Sequence, residues 1–236
     1  MKKYKTLFFD VDDTLLDFGA AEKLALQLLF EEQNIPLTSE MEEKYKSINQ
    51  GLWRRFEEGE LSRDEVVNTR FSVLFNQFEK EVDGTILEKN YRLSLEQGHQ
   101  LVNGAFELIT ELNSQYDLYI VTNGVSRTQD KRLHASGLYP LFKGIFVSED
   151  TGFQKPMKEF FDYVFVRIPQ FDVKQALIIG DSLSADIKGG ELAGLDTCWF
   201  NPNMKPNVTD ISPTYQIQKL EELKGILNVR DRIGTC

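Results

Sequence analysis

An α/β fold, a doubly wound parallel sheet interrupted by an all-helical insertion, is predicted by three observations. Short apolar runs recur along the chain, each closing on a polar residue; segments of helical spacing fall between the later runs; and a long stretch after the first run carries helix signals with no convincing strand. Apolar runs that alternate with helices belong to parallel sheets covered on both faces, whose ligands bind beyond the carboxyl ends of the strands.

The first run, 7–9, ends at Asp10; 118–121 ends at Thr122, 145–147 at Ser148, 176–179 at Gly180 and Asp181, and 197–200 at Asn201. Helices are expected at 128–136, closed by Gly137, at 157–167, opened by Pro156, and at 186–193, closed by Gly194. Proline near a helix start and glycine just past its end are the usual punctuation. Between the first run and the rest, 17–101 is rich in Leu, Phe, Glu and Lys. There, Ser39 with Glu42 and Ser62 with Glu65 read as capping boxes, and Asp83-Gly84 as a turn between two helical stretches. The expected organisation is a Rossmann-like core domain over 1–16 and 102–236, with a helical domain over 17–101 inserted into it.

The chain has 236 residues, of which 41% are hydrophobic, and 27 Lys+Arg against 37 Asp+Glu give a net charge of −10. That is a folded acidic protein, not a disordered one. No Lys/Arg-rich run offsets the charge, which excludes nucleic-acid polymers and anionic membranes as partners; a small phosphorylated metabolite needs only a local positive site. Lys2, Lys3 and Lys5 precede an apolar run too short for a signal peptide or a membrane span, so a cytoplasmic location is expected. Cys198 and Cys236 form neither a metal knuckle nor a disulfide framework and are expected to be free thiols.

Chemistry concentrates at the ends of the apolar runs. In Asp10-Val11-Asp12-Asp13-Thr14-Leu15, several carboxylates share one loop and repel one another unless a cation or a bound proton relieves them. An acidic turn in which Asp12 and Asp13 cap backbone amides is the plainer alternative. Gly180-Asp181-Ser182-Leu183-Ser184-Ala185-Asp186 brings two more carboxylates to the same sheet edge. Asp181 is placed to complete a hard-cation site with Asp10, and Mg²⁺ suits such a site because it takes few carboxylates and accepts phosphate oxygens. Asp186 stands where the following helix would be N-capped, so capping or support of a neighbouring ligand is its expected role. Thr122-Asn123-Gly124 offers a hydroxyl and amides to an anion, and Lys155, before Pro156, offers a positive charge.

Taken in this order, these residues resemble the haloacid dehalogenase-like (HAD) hydrolase superfamily over nearly the whole chain. Asp10-Val11-Asp12-Asp13-Thr14 is similar to its first motif, Thr122 to the second, Lys155 to the third and Gly180-Asp181 through Asp186 to the fourth; the helical insertion resembles its type 1 cap. The stretches 8–16 and 121–124 are most similar to its branch of pyrimidine 5′-nucleotidase-like proteins.

The resemblance implies a Mg²⁺-dependent phosphatase. Asp10 would attack phosphorus to form an aspartyl-phosphate, and Asp12 would protonate the leaving group, activate water and lend its carbonyl to the metal. Asp10 and Asp181 would supply metal carboxylates, and Thr122, Asn123 and Lys155 would hold the phosphoryl oxygens. Cap side chains would close over the leaving group; Trp53, Arg54, Arg55, Phe56 and Phe71 are candidates by type, with ordinary helix packing as the alternative. Position 13, often Gly in the wider superfamily, is Asp13 here, either a local cap or part of a hinge. His99 and His134 lack partner spacing and are expected to be structural or surface residues. A pyrimidine nucleoside 5′-monophosphate is the favoured substrate, with a sugar phosphatase or a phosphomutase on the same core as the alternative. A non-catalytic phosphate-binding regulator is less favoured because the reactive residues are all present, and a dehalogenase because Asp12 would have no use. Monomer and homodimer both stay open.

Overall fold

The structure, a computed structural model, describes residues 4–227; Lys2, Lys3 and Cys236 lie outside them. The chain runs β1 (Thr6–Phe9), α1 (Phe18–Glu32), α2 (Ser39–Glu57), α3 (Arg63–Asn76), α4 (Gly84–Leu95), α5 (Ala105–Asn113), β2 (Asp117–Thr122) and α6 (Ser126–Ala135). It continues as β3 (Gly144–Val147), α7 (Ser148–Thr151), α8 (Lys158–Phe165), β4 (Ala176–Gly180), α9 (Lys188–Ala193), β5 (Asp196–Phe200), β6 (Tyr215–Ile217) and α10 (Leu223–Leu227), with a π-helical turn, Leu183–Ile187, ahead of α9.

All six strands are parallel, in the order β3-β2-β1-β4-β5-β6. This is a doubly wound α/β sheet whose strand order reverses at β1 and β4. Phe9 pairs with Ile120 on one side and Ile179 on the other, a register that brings Asp10, Thr122 and Gly180-Asp181 to one carboxyl edge. The central strands are mostly apolar because both faces are covered. On one face Phe8, Tyr119, Val121 and Ile178 pack against Phe160, Phe161 and Val164 of α8. Of the apolar runs, five become strands β1 to β5; β6 escapes sequence reading because it is three residues long and only its last residue is buried.

By its contacts the chain divides into two compact units. One holds the sheet: residues up to Leu16, Leu101–Asn123, and residues from Gly137 on. The other holds Asp17–Gln100 together with Gly124–Ser136, so α6, expected in the sheet-bearing domain, groups with the helices. The reason is local: the buried Glu96 carboxylate receives Arg127 Nε at 3.1 Å and Lys131 Nζ, and Arg132 Nε donates to the Gly98 carbonyl at 2.6 Å.

Within the helical unit an apolar core forms around Leu26, Phe30, Tyr45, Phe71, Phe75 and Tyr91, with Phe30 stacked on Phe75 and Tyr45 on Phe71. Arg70 is buried inside it. Its Nε and Nη2 donate to Glu88 Oε2 at 2.8 and 2.5 Å, its Nη1 to Asn49 Oδ1 at 3.2 Å, and Arg92 takes the other Glu88 oxygen. Satisfying a buried charge this completely is what makes it tolerable. The Ser62–Glu65 capping box forms at the start of α3 as the spacing predicts. One other expectation is corrected: Thr38, not Ser39, caps α2, its Oγ1 accepting from Met41 N. Adjacent side chains with similar capping ability cannot be ranked by spacing alone. Asp83-Gly84 stands at the break between α3 and α4, where Asp83 Oδ1 caps α4 by accepting from Thr85 N and Ile86 N.

Candidate active site

Asp10 follows β1 directly, its amide donating to Ile179 O of β4 at 3.0 Å, so two neighbouring strands hold its backbone where the strand order reverses. The buried Lys155 ammonium spends its three hydrogens on three acceptors: Asp10 Oδ1 at 2.7 Å, Asp186 Oδ1 at 2.6 Å and Val121 O at 2.7 Å. Its backbone is clamped by Asn123, whose Nδ2 donates to Lys155 O and whose Oδ1 accepts from Lys155 N, both at 2.9 Å; the following Lys155–Pro156 peptide is cis. Asp186 Oδ2 accepts from Ser182 N at 3.0 Å, and the Asp181 carbonyl accepts from Trp199 Nε1 at 2.9 Å. Carboxylate oxygens of Asp10, Asp181 and Asp186 lie within 4.8 Å of one another. Thr122 is buried at the end of β2, Asp12 is half-buried and Asp13 is exposed.

The sequence profile of the haloacid dehalogenase-like hydrolases matches residues 4–194, which include this edge. The chain belongs to the haloacid dehalogenase-like hydrolase family. Among similar proteins, HAD-hydrolase YfnB of Bacillus subtilis (strain 168) is 69% identical over 99% of this chain and 100% of its own. A crystal structure of YfnB bound to magnesium superposes with a TM-score of 0.93, covering 97% of this chain and 100% of that one. Two relatives named pyrimidine 5′-nucleotidases follow: PynA of Streptococcus pneumoniae, 42% identical over 98% of each chain, and YjjG of Escherichia coli, 30% identical over 95% of this chain and 98% of its own.

In this HAD-like hydrolase the electrostatics of the edge are set by crowding. Burial, reinforced by the carboxylates of Asp186 and Asp12, pushes Asp10 up to about 7 against the pull of Lys155. Burial, with Asp10 and Asp186 adding to it, also holds Asp181 well above the ordinary carboxylate range. For Lys155 burial works against the charge, but the two aspartates outweigh it and keep the ammonium protonated beyond the usual lysine range. Two of the three carboxylates, Asp10 and Asp186, thus share one ammonium, and Asp181 stands beside them. An all-oxygen donor set with excess negative charge, held on rigid strand ends, fits a hard divalent cation.

Of the two roles expected for Asp186, capping belongs to Ser182, whose Oγ accepts from Ala185 N at 3.1 Å, while Asp186 faces back to Lys155 as a supporting group. Several contributors escaped sequence reading. A Cβ on Gly180 would lie 2.2 Å from the Asp186 carboxylate, so only glycine lets that side chain fold back over β4. The Val121 carbonyl and the Trp199 indole carry no sequence signal, whereas the spacing from Gly180 to Asp186 does. Asp13 has φ 57, the left-handed region in which glycine is freest and Asp is tolerated, which accounts for an aspartate where Gly is common in the family.

Of the side chains proposed by type in the insertion, Phe71 and Phe56 are buried, Trp53 meets Phe56 edge-on at 5.5 Å, and Arg55 pairs with Glu60 on the surface. His99 Nδ1 bonds the Gln97 carbonyl and His134 Nδ1 that of Asp130, both local contacts. Cys198 is a free, buried thiol pushed up to about 12 by burial. Among the described residues no helix is long and apolar enough to cross a membrane.

Proposed function

We propose that this chain is a Mg²⁺-dependent phosphatase that hydrolyses nucleoside 5′-monophosphates, pyrimidine ones foremost, through an aspartyl-phosphate on Asp10. The observation that carries the reading is the Asp10–Lys155–Asp186 arrangement beside Asp181: a carboxylate held rigidly at the strand-order reversal, within reach of a cation site.

An Asp10 oxygen attacks phosphorus as the bond from phosphorus to the leaving oxygen breaks. Asp12, two residues along the same loop, gives its proton to the departing alkoxide, then takes one from water, which attacks the aspartyl-phosphate and frees inorganic phosphate and the Asp10 carboxylate. Thr122 and the Asn123 amide hold phosphoryl oxygens, and Lys155 keeps Asp10 oriented while its charge offsets the approach of an anion. Asp10, Asp181 and the Asp12 carbonyl would hold Mg²⁺, which supplies positive charge between carboxylate and phosphate. Asp186 anchors Lys155.

The pyrimidine preference draws on PynA and YjjG, the two nucleotidase relatives that align over nearly the whole chain. Measuring kcat/KM with Mg²⁺ for UMP, dUMP, dTMP, purine monophosphates and hexose phosphates tests it. A preference for pyrimidine monophosphates is expected. A sugar phosphate favoured by about tenfold, or about 1.4 kcal/mol, would overturn the nucleotidase assignment and leave the phosphatase mechanism standing.

A further inference from the structure

The turn that follows β2 begins a short chain of contacts that the chemistry above does not use. Gly124 follows Asn123, whose amide is assigned to the phosphoryl group. A Cβ built on Gly124 would stand 2.4 Å from Nε2 and 2.8 Å from Cδ of Gln129, so the Gln129 side chain lies against the loop backbone itself. Gln129 is buried, and its Oε1 accepts from Arg132 Nη1 at 3.2 Å. Arg132, also buried, donates through Nε to the Gly98 carbonyl at 2.6 Å and lies over the Phe18 ring at 5.7 Å. Gly98 lies on the segment returning from the helices, and a Cβ there would meet Ala21 of α1 at 2.3 Å. Contact is therefore continuous from α1 through Gly98, Arg132 and Gln129 to Gly124.

We infer that Gln129 and Arg132 are positioning residues for phosphate binding: they set the backbone of the Asn123-Gly124 turn, and with it the amide that receives a phosphoryl oxygen. The inference rests on the phosphatase reading. A buried guanidinium bonded to a carbonyl and a side-chain amide has one well-defined geometry, and a side chain packed against Cα leaves the turn no freedom to relax away. A Cβ at 124 would have to displace the Gln129 side chain.

The test uses the full chain, with inorganic phosphate as a competitive probe of the loop and p-nitrophenyl phosphate as substrate. Gln129→Ala and Arg132→Lys should each weaken phosphate inhibition and raise KM by about fivefold to tenfold, with kcat within about twofold of wild type. Gly124→Ala should do the same by pushing on Gln129, and Gly124→Ala/Gln129→Ala should recover phosphate affinity to within about twofold, because the new methyl occupies the vacated space. Melting curves recorded alongside separate this from loss of fold. Unchanged phosphate inhibition in Gln129→Ala and Arg132→Lys, losses that track melting temperature alone, or additive effects in the double variant would overturn the positioning role. A wild-type enzyme that neither hydrolyses phosphomonoesters nor binds phosphate would instead overturn the phosphatase reading.

Discussion

Lys155 Nζ donates to Asp10 Oδ1 at 2.7 Å across 145 positions of sequence, and the same ammonium holds Asp186 at 2.6 Å. One positive charge thereby compensates two buried carboxylates. Replacing it with an isosteric apolar chain, Lys155→Met, leaves both uncompensated and should lower unfolding stability by about 3–5 kcal/mol. Denaturant unfolding measures this, and Lys155→Met/Asp10→Asn should recover part of the loss. Equal stability of Lys155→Met and wild type would show that the pair is not a folding constraint.

Asp10 sits above the ordinary carboxylate range, at about 7, in the protein without metal. An acid whose pKa is raised on folding binds more protons folded than unfolded, so stability falls as pH rises from its ordinary value of 3.8 to about 7. With EDTA present, the melting temperature should decline across that window, and less so in Asp10→Asn. Added Mg²⁺ should restore stability toward the upper end, where the carboxylates are ionised. An identical pH slope in Asp10→Asn and wild type would remove Asp10 as the source.

Asp12→Asn keeps the loop backbone and its carbonyl while removing the transferable proton. Turnover of an alkyl phosphate should fall by roughly 10² or more, and that of p-nitrophenyl phosphate by less, because an acidic phenol leaves without help. Matching losses for the two substrates count against protonation of the leaving group.

Inside the helical unit, Arg70 holds Glu88 with two bonds and Asn49 with a third. Arg70→Met should destabilise by about 3–5 kcal/mol, and Arg70→Met/Glu88→Leu by clearly less, since the buried carboxylate left with Arg92 alone in the single variant is gone. Thermal unfolding of the two variants compares them directly; a double variant as unstable as the sum of both singles would mean that packing, not charge, is what Arg70 supplies.

Much of this was legible in the chain itself. Apolar runs ending on Asp10, Thr122 and Asp181 marked both the strands and the edge where chemistry gathers, because a strand buried on both faces is mostly apolar and admits charged groups where it leaves the sheet. The same periodicity marked the helical insertion, and the Ser62–Glu65 spacing marked the start of α3, since capping is chemistry between residues three apart. The acidic loop, the lone lysine before Pro156 and the paired aspartates of 181 and 186 named the site's members before their geometry was known.

Only the tertiary structure decided who touches whom. That Lys155 divides its hydrogens among Asp10, Asp186 and the Val121 carbonyl depends on which strands are neighbours, and strand order is set by long-range packing that no local spacing encodes. Of the two roles open to Asp186, helix cap or support of a neighbouring group, it takes the second, anchoring that lysine, because Gly180 leaves room for its side chain to fold back over β4. Likewise α6 joined the helical unit through Glu96 and Gly98, residues from another part of the chain. Residue types and local periods set which groups could act; the burial and register of distant segments set which of them meet.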